Sequence, residues 1–366
     1  MATYKSIKYI IPTEAVEHTD SINALADVDT TTVAPSVGQT LKWSAANSRW
    51  QPADIEEAAS SGAQKAIFGF GRDGSATNVT NLVSSVGVVA TDTTGVGMAR
   101  DYLAAAGYGG DKAIFGFGYD GSAFYNNEEN VTNLVSNTGV VATDTTGVGT
   151  ERGQLAAAGY GGDKAIFGFG SSYSGDTNVT NLVSNLGVVS SDQTGVGTAR
   201  SGLAAAGYGG DKALFGFGYS NNYTSVTNLV SNAGVVATDT TGVGSDRNNL
   251  AAVGYGGDKA LFGFGYDNSI TGGGSKFVSV TNLVSNVGVV ASDTTGVGTG
   301  RSSLAASGYG GDKAIFGFGY FSGVGYSDNY VSTTNLVSNL GVVASDTTGV
   351  GTGREGLAAA GYSSTA

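Results

Sequence analysis

The chain has 366 residues and a formal net charge of −12, with 18 basic against 30 acidic residues, and it contains no cysteine. Because nucleic-acid binding draws most of its affinity from Lys and Arg, this balance argues against a nucleic-acid partner. The absence of cysteine excludes disulfides and thiolate metal sites.

The composition also disfavours catalysis and membrane insertion. The one histidine, His18, lies outside the repeats described below, so we expect no Ser-His-Asp triad, no metal site and no cofactor. Glu128 and Glu129 are adjacent and would point to opposite sides of an extended chain, which makes them a poor acid/base pair. No apolar run reaches the roughly 20 residues that cross a bilayer. The start has no signal-peptide core, so we expect synthesis in the cytoplasm. Because the catalytic residues described above are missing, we also expect no enzyme activity.

Residues 1–60 differ in composition from the rest, because they hold both Trp residues, the histidine and all three Pro. The stretch from Gly38 to Trp43 and the stretch from Asn47 to Pro52 predict a hairpin that carries both Trp residues. Such a short segment with few apolar side chains can hardly hold a core alone. We therefore expect it to dock onto another protein or to intertwine with copies of itself.

This segment resembles the connectors of fibre and appendage proteins of tailed bacteriophages. The resemblance lies in Leu-Ala-Asp-Val-Asp-Thr from Leu25, then Gly-Gln-Thr-Leu-Lys-Trp from Gly38, then Trp-Gln-Pro from Trp50. It implies an N-terminal attachment and oligomerisation segment, and homotrimers are common in that family. The implied attachment residues are Leu41, Trp43, Trp50 and Pro52. An ordinary capping arm of the following domain is the alternative.

Residues 61–366 repeat one pattern six times. Lys-Ala-(Ile/Leu)-Phe-Gly-Phe-Gly is followed by a variable insert, Thr-Asn-Leu-Val-Ser, Gly-Val-Val, Thr-Gly-Val-Gly, an Arg and Leu-Ala-Ala. The copies begin at Lys65, Lys112, Lys164, Lys212, Lys259 and Lys313. A period of about 50 residues is typical of propeller blades, and the abundance of Val, Thr, Phe and Tyr favours strands.

Within one unit we predict four antiparallel strands: A at Leu155–Tyr160, B at Lys164–Phe169, C at Val179–Ser184 and D at Val188–Ser190. Four such strands per repeat make a propeller blade. The pattern resembles kelch-type and related galactose-oxidase-like blades, although Gly-Phe-Gly replaces the usual Gly-Gly and the strand-D Trp is missing. That resemblance implies a fold and not a function.

The two ends of the repeat region complement each other. The first copy has no strand A before it, whereas the last copy is followed by an extra strand A at Leu357–Tyr362. We therefore predict an all-β, six-bladed β-propeller in which the C-terminal strand completes the first blade. An open solenoid is the alternative.

Loops of an antiparallel meander alternate between its two ends. The A–B and C–D turns hardly change among the copies and define a constant face. The B–C inserts and the D–A junctions around the fixed Arg vary and define a variable face. Because loops on a rigid scaffold usually carry recognition, we expect ligand binding at the variable face. Its candidate ligand-binding residues are aromatic, amide and charged side chains of the inserts: Phe124, Tyr125, Asn126, Asn127, Tyr173, Asp176, Asn222, Tyr223, Lys276, Phe277, Phe321, Tyr326, Asp328 and Tyr330. Loop residues that only pack on one another are the alternative.

Each repeat also has one fixed Arg and one fixed Asp. We expect a residue present in every copy to join blades through a buried ion pair or turn hydrogen bonds. An axial ring of charge that binds an ion is the alternative. The Arg set is Arg100, Arg152, Arg200, Arg247, Arg301 and Arg354, and the Asp set is Asp92, Asp144, Asp192, Asp239, Asp293 and Asp346.

The phage resemblance implies a virion structural protein, a tail fibre or another appendage, exposed on the particle. Its N-terminus would bind other virion proteins, and its propeller would bind a host-surface glycan or protein or a neighbouring virion protein. A purely architectural decoration protein of the capsid, neck or baseplate is the first alternative. A polysaccharide-active enzyme is the second, which the missing catalytic residues disfavour.

Overall fold

The computed structural model describes residues 39–44, 48–54, 63–122, 127–271, 275–322 and 329–363. The chain divides into two compact units, Met1–Ala59 and Ser60–Ala366. Both units are built from β-strands where they are described. Among the described residues there is no helix long and apolar enough to span a membrane.

Where it is described, the first unit contains an antiparallel hairpin. Strand β1 (Gln39–Ser44) pairs with β2 (Arg49–Asp54), with Trp43 opposite Trp50 and Leu41 opposite Pro52. The predicted hairpin is therefore confirmed, and the four implied attachment residues all lie on it.

The second unit contains six three-stranded antiparallel sheets in its described residues. The B strand is the middle strand of each sheet, between A and C. The A strands are β26 (Ala358–Tyr362), β5 (Ala104–Tyr108), β8 (Ala156–Tyr160), β13 (Ala204–Tyr208), β18 (Ala251–Tyr255) and β21 (Ala305–Tyr309). The B strands are β3 (Lys65–Gly69), β6 (Lys112–Gly116), β9 (Lys164–Gly168), β14 (Lys212–Gly216), β19 (Lys259–Gly263) and β22 (Lys313–Gly317). The C strands are β4 (Thr80–Val83), β7 (Thr132–Val135), β12 (Thr180–Val183), β17 (Thr227–Val230), β20 (Thr281–Val284) and β25 (Thr334–Val337).

We number the sheets 1 to 6 in the order of their B strands, so that sheet 1 is β26-β3-β4 and sheet 6 is β21-β22-β25. Some inserts add two-residue hairpins. These are β10 (Ser171–Ser172) with β11 (Gly175–Asp176), β15 (Tyr219–Ser220) with β16 (Asn222–Tyr223), and β23 (Tyr320–Phe321) with β24 (Asn329–Tyr330).

Strands A, B and C are present within one residue of the predicted bounds at each end. The predicted strand D at Val188–Ser190 is wrong. The segment from Val188 to Gln193 contributes only two isolated bridges, in which Val189 lies opposite Val183 and Gln193 lies opposite Thr180. Between its bridged residues Val189 and Gln193, this segment has one residue more than strand C has between Thr180 and Val183. Such an extra residue is a bulge, which interrupts the ladder. The sheets therefore have three strands with a bridged outer segment, rather than four.

The C-terminal strand joins the first repeat, as predicted. Strand β26 pairs antiparallel with β3 from Ala358 opposite Gly69 to Tyr362 opposite Lys65. The same register joins A and B strands that are consecutive in sequence, such as β8 and β9. Sheet 1 is thus built from both ends of the second unit.

Neighbouring sheets pack through the B strands, whose Ala-(Ile/Leu)-Phe runs are buried on both faces. Between sheets 3 and 4, Ile166 and Phe169 contact Phe215 in one apolar cluster. Sheet 1 takes part in two such clusters, one with sheet 2 and one with sheet 6. A middle strand covered on both sides explains why these runs are continuous instead of alternating.

Backbone hydrogen bonds also connect the sheets at both ends of the A strands. On the variable face, the N–H of the second residue after each fixed Arg donates to the carbonyl of its counterpart in the preceding sheet, over 2.6–2.9 Å. The six donors run in order and return to the start: Tyr102 to Gly356, Gly356 to Ser303, Ser303 to Asn249, Asn249 to Gly202, Gly202 to Gln154 and Gln154 to Tyr102. All six have left-handed backbones, with φ between +47° and +61°.

A second cycle lies on the constant face, where one N–H of each A–B turn donates to the next sheet over 2.7–3.0 Å. Its members are Gly109 to Asp163, Gly161 to Asp211, Gly209 to Asp258, Gly256 to Asp312, Gly310 to Gln64 and Ser363 to Asp111. Ser363, from the C-terminal end, holds the place that a glycine holds in the other turns.

Deleting residues 356–366 removes β26 and should destabilise the whole second unit. Ala66, Ile67 and Phe68 of β3 are fully buried and would lose their cover, at about 2 kcal/mol for each large apolar side chain. We expect a lower melting temperature and new binding of a hydrophobic dye. Deleting only residues 364–366, which follow the last strand, is the matched control. Equal melting curves for both deletions would contradict this prediction.

Candidate functional site

A buried arginine organises the base of each variable loop. Arg152 is fully buried, and its guanidinium lies 4.3 Å from the ring centre of Phe117 in the preceding sheet. Its Nε donates to the carbonyl of Phe169 at 2.8 Å, Nη1 to that of Thr150 at 2.8 Å, and Nη2 to Oδ1 of Asn181 at 2.6 Å. One side chain thus joins its own B and C strands, the D–A junction and the neighbouring sheet.

The fixed Asp completes this network through the Asn of Thr-Asn-Leu-Val. Nδ2 of Asn181 donates to Asp192 at 2.8 Å, and the Thr150 hydroxyl donates to the same carboxylate at 2.6 Å. Burial raises the pKa of Asp192, but the hydrogen bonds from Thr150 and Asn181 outweigh it and leave the pKa below its ordinary value. Burial lowers the pKa of Arg152 to about 10, against the opposing charge of Asp192, so the guanidinium is charged at neutral pH.

The expectation that the fixed charges join the repeats is confirmed. Among the described residues, a fixed Arg pairs directly with a fixed Asp in Arg247–Asp293 at 3.4 Å, Arg354–Asp92 at 3.6 Å and Arg301–Asp346 at 4.0 Å. In every repeat the Asn lies between Arg and Asp. Sequence reasoning missed this Asn, although its constancy in all six copies was a signal.

The variable face forms as predicted, since each B–C insert meets the D–A junction of its own sheet. The first residue after Gly-Phe-Gly forms a bridge with the first residue after the fixed Arg. The bridged pairs are Arg72–Glu355, Tyr119–Asp101, Ser171–Gly153, Tyr219–Ser201, Tyr266–Asn248 and Tyr320–Ser302. The insert member of these pairs is Tyr in four copies, Arg in one and Ser in one, and the junction member is Glu, Asp, Gly, Ser or Asn.

Aromatic side chains of three consecutive sheets form a continuous row on this face. Successive ring centres lie 5.2–6.1 Å apart. We call this set the aromatic row: Tyr219, Tyr223, Tyr266, Phe277, Tyr320 and Tyr330. Tyr219 is exposed and the other five are half-buried. The rings therefore pack on one another and also present part of their surface to solvent.

Three of the candidate residues, Tyr223, Phe277 and Tyr330, belong to the aromatic row. Sequence reasoning missed Tyr219, Tyr266 and Tyr320, because they begin the inserts and look like strand ends.

The other candidate residues do not join the row. Tyr173, Asp176 and Asn222 are exposed, and Lys276 donates to Asn268 over 2.6 Å. Phe321 is half-buried. Phe124, Tyr125, Asn126, Tyr326 and Asp328 lie outside the described residues, and Asn127 lines a cavity described below.

Valine side chains form a second repeated surface beside the C–D turns. The first Val of Gly-Val-Val is 64–66% exposed in all six copies. The set is Val88, Val140, Val188, Val235, Val289 and Val342. Part of the reason is local, because β-branched residues favour the extended backbone of this outer segment.

Neither a family model nor a curated protein matches this chain. Within the described parts of the chain, no group of three or more His, Asp or Glu side chains is placed to hold a metal ion. The site is therefore defined by its own geometry.

Replacing Arg200 with Lys should lower the free energy of unfolding by about 3 kcal/mol. An ammonium cannot reach Phe217, Thr198 and Asn228 together, as the guanidinium does at 2.8, 3.1 and 2.8 Å. The reverse exchange Lys212→Arg, at the partly exposed first residue of β14, is the control and should leave stability nearly unchanged. Denaturant unfolding measures both, and equal midpoints for the two variants would count against the network.

Replacing Met98 with Thr should stabilise the protein by about 1 kcal/mol. In the other five copies a Thr or Ser hydroxyl at this position donates to the fixed Asp over 2.5–2.7 Å. Met98 offers Asp144 only its backbone N–H, at 2.9 Å. Met98→Val is the control, because it has the shape of Thr without the hydroxyl. A melting temperature that rises equally in both variants would assign the gain to shape instead.

Proposed function

We propose that the six sheets form a closed six-bladed β-propeller. Three observations support this architecture. Strand β26 completes sheet 1, sheet 1 packs against both sheet 2 and sheet 6, and two cycles of backbone hydrogen bonds pass through all six sheets and return to the first. An open stack would leave sheets 1 and 6 without this mutual contact.

On this scaffold, the protein is a structural protein of a tailed-phage particle. Residues 1–60 attach it to other virion proteins, and the variable face binds a glycan or protein of the host surface. The connector-like sequence and its hairpin support the first part. The separation of a constant from a variable face supports the second, because one face can vary without disturbing the contacts that hold the sheets together.

The aromatic row is the observation that carries the recognition function. The six sheets share their core residues, yet only sheets 4 to 6 carry this row among the described residues. The scaffold therefore folds without it elsewhere. Aromatic faces pack on sugar rings and on apolar protein surfaces, and rings that already support one another lose little freedom on binding.

Binding of the full-length protein to bacterial cells and to a panel of purified surface polysaccharides tests this function. Phe277→Ser, in the middle of the row, should weaken binding about tenfold, the loss of roughly 1.4 kcal/mol. Tyr173→Ser removes an exposed aromatic outside the row and is the control. The recognition function is wrong if the wild type is retained by neither cells nor polysaccharides.

The repeated valines favour a second candidate, an architectural decoration protein. A surface with the same exposed apolar residue in all six sheets suits contact with a neighbouring virion protein. This role would be favoured if the wild-type protein binds neither cells nor polysaccharides but does bind phage particles that lack this protein. Replacing the six valines with Thr should then reduce particle binding.

A further inference from the structure

A cavity of about 480 Å³ lies at the variable face between the inserts of sheets 1 and 2. We call it the sheet 1–2 cavity. Its functional side chains are Arg72, Asp101, Tyr102, Tyr119, Asn127 and Gln154. This volume falls within the roughly 300–1,000 Å³ of small-molecule sites.

The charges in this cavity break the sixfold pattern. Where sheet 1 has Arg72, the other copies have Tyr or Ser, and where sheet 2 has Asp101, the other positions are Gly, Ser, Asn and Glu355. Five sheets form the same strands and hydrogen bonds without an Arg at this place. The fold therefore does not require the charged pair.

The pair of Arg72 and Asp101 also makes fewer hydrogen bonds than its buried atoms could make. Nε of Arg72 lies 3.7 Å from Oδ2 of Asp101, whose side chain is only 5% exposed, while that of Arg72 is 40% exposed. The buried Nε has no hydrogen-bond partner. Burial raises the pKa of Asp101 to about 6, against the attraction of Arg72 and with the repulsion of Asp120. Unmade bonds at buried polar atoms are costly, and the partly exposed Arg72 side chain is the member of the pair that a ligand reaches first.

The groups of the cavity suit hydroxyls rather than ions. Asp101 accepts hydrogen bonds, while Arg72 and the amides of Asn127 and Gln154 donate them. The rings of Tyr102 and Tyr119 lie edge to face with centres 6.3 Å apart, and they offer apolar surface beside the polar groups.

The charges in and near the cavity also disfavour some classes of ligand. Among the described residues that line the cavity, Arg72 is the one cation; it interacts with Asp101 and Glu355, and Asp120 repels Asp101. This balance opposes a phosphate or a uronic acid, whereas the guanidinium opposes a metal cation.

We propose that the sheet 1–2 cavity binds one neutral sugar unit, with Arg72 and Asp101 on its hydroxyls and a tyrosine ring against its apolar face. This inference rests on the proposed recognition function, and it places a sugar site apart from the aromatic row. A competing explanation is structural, because Arg72 pairs through its backbone with Glu355 where β26 joins β3. In that case the charges only hold the C-terminal strand.

The sixfold repeat supplies test variants that the fold already accepts. Arg72→Tyr installs the residue that four other copies have, and Asp101→Ser installs the residue of Ser201 and Ser302. The full-length protein is titrated with neutral monosaccharides (glucose, galactose, mannose, N-acetylglucosamine) and with glucuronic acid, by calorimetry and saturation-transfer NMR. Ser174→Ala, at an exposed position in the insert of sheet 3, is the control.

We expect the wild type and Ser174→Ala to bind a neutral sugar, and both cavity variants to bind it about tenfold more weakly or not at all. Their melting temperatures should stay close to that of the wild type. Cavity variants that melt earlier but bind normally would show a purely structural role and overturn the proposal, as would preferred binding of glucuronic acid.

A wild type that binds no monosaccharide also overturns the sugar site. The cell and polysaccharide assay then decides separately whether recognition survives. Retention on cells without monosaccharide binding leaves the proposed function standing and removes only this cavity from it.

Discussion

The second unit depends on burying one guanidinium in every repeat. A buried charge costs several kcal/mol unless its donors are used. The bonds of Arg152 show how this is done, with two backbone carbonyls, one Asn side chain and an aromatic face from the preceding sheet. These partners come from separate strands and two sheets, so Arg, Phe, Asn and Asp must be kept together in each copy. Arg100 is the weakest case, because its Nε has no hydrogen-bond partner.

The same network explains why Gly-Phe-Gly replaces a glycine pair. Its second Phe has a left-handed backbone in all six copies, with φ between +62° and +66°. This conformation costs roughly 1–2 kcal/mol in a bulky residue. Each of these rings packs between a guanidinium and a Phe of an adjacent sheet, as Phe169 does between Arg200 and Phe215 at 4.4 and 5.1 Å. Packing thus offsets the local strain. The positive φ alone would favour glycine at this position, but a Phe stands there and makes the contact between sheets.

Much of this fold could be predicted from the sequence, because six copies mark their own strands and the offset ends imply that β26 pairs with β3. Strand D could not, since Gly-Val-Val looks like a strand and the bulge before Gln193 leaves no trace in composition. The role of Asn181 was hidden because Thr-Asn-Leu-Val reads as an ordinary strand. The aromatic row and the pair Arg72–Asp101 depend on contacts between inserts of unequal length, which a repeat alignment does not bring together.

Because the six sheets repeat one sequence pattern, each sheet can be compared with the other five. Apart from the exposed valines, most residues shared by all sheets are accounted for by core packing, the guanidinium network and the hydrogen-bond cycles. The largest differences among the sheets lie at the variable face and are unevenly distributed there: aromatic rings lie across sheets 4 to 6, and charges lie between sheets 1 and 2. The exposed valines repeat in every sheet. A partner bound in a single orientation can therefore distinguish the sheets best at the variable face, whereas the valine surface suits a partner that contacts all six alike. The two candidate functions thus belong to different parts of the same scaffold, and we expect substitutions at one to leave the other intact.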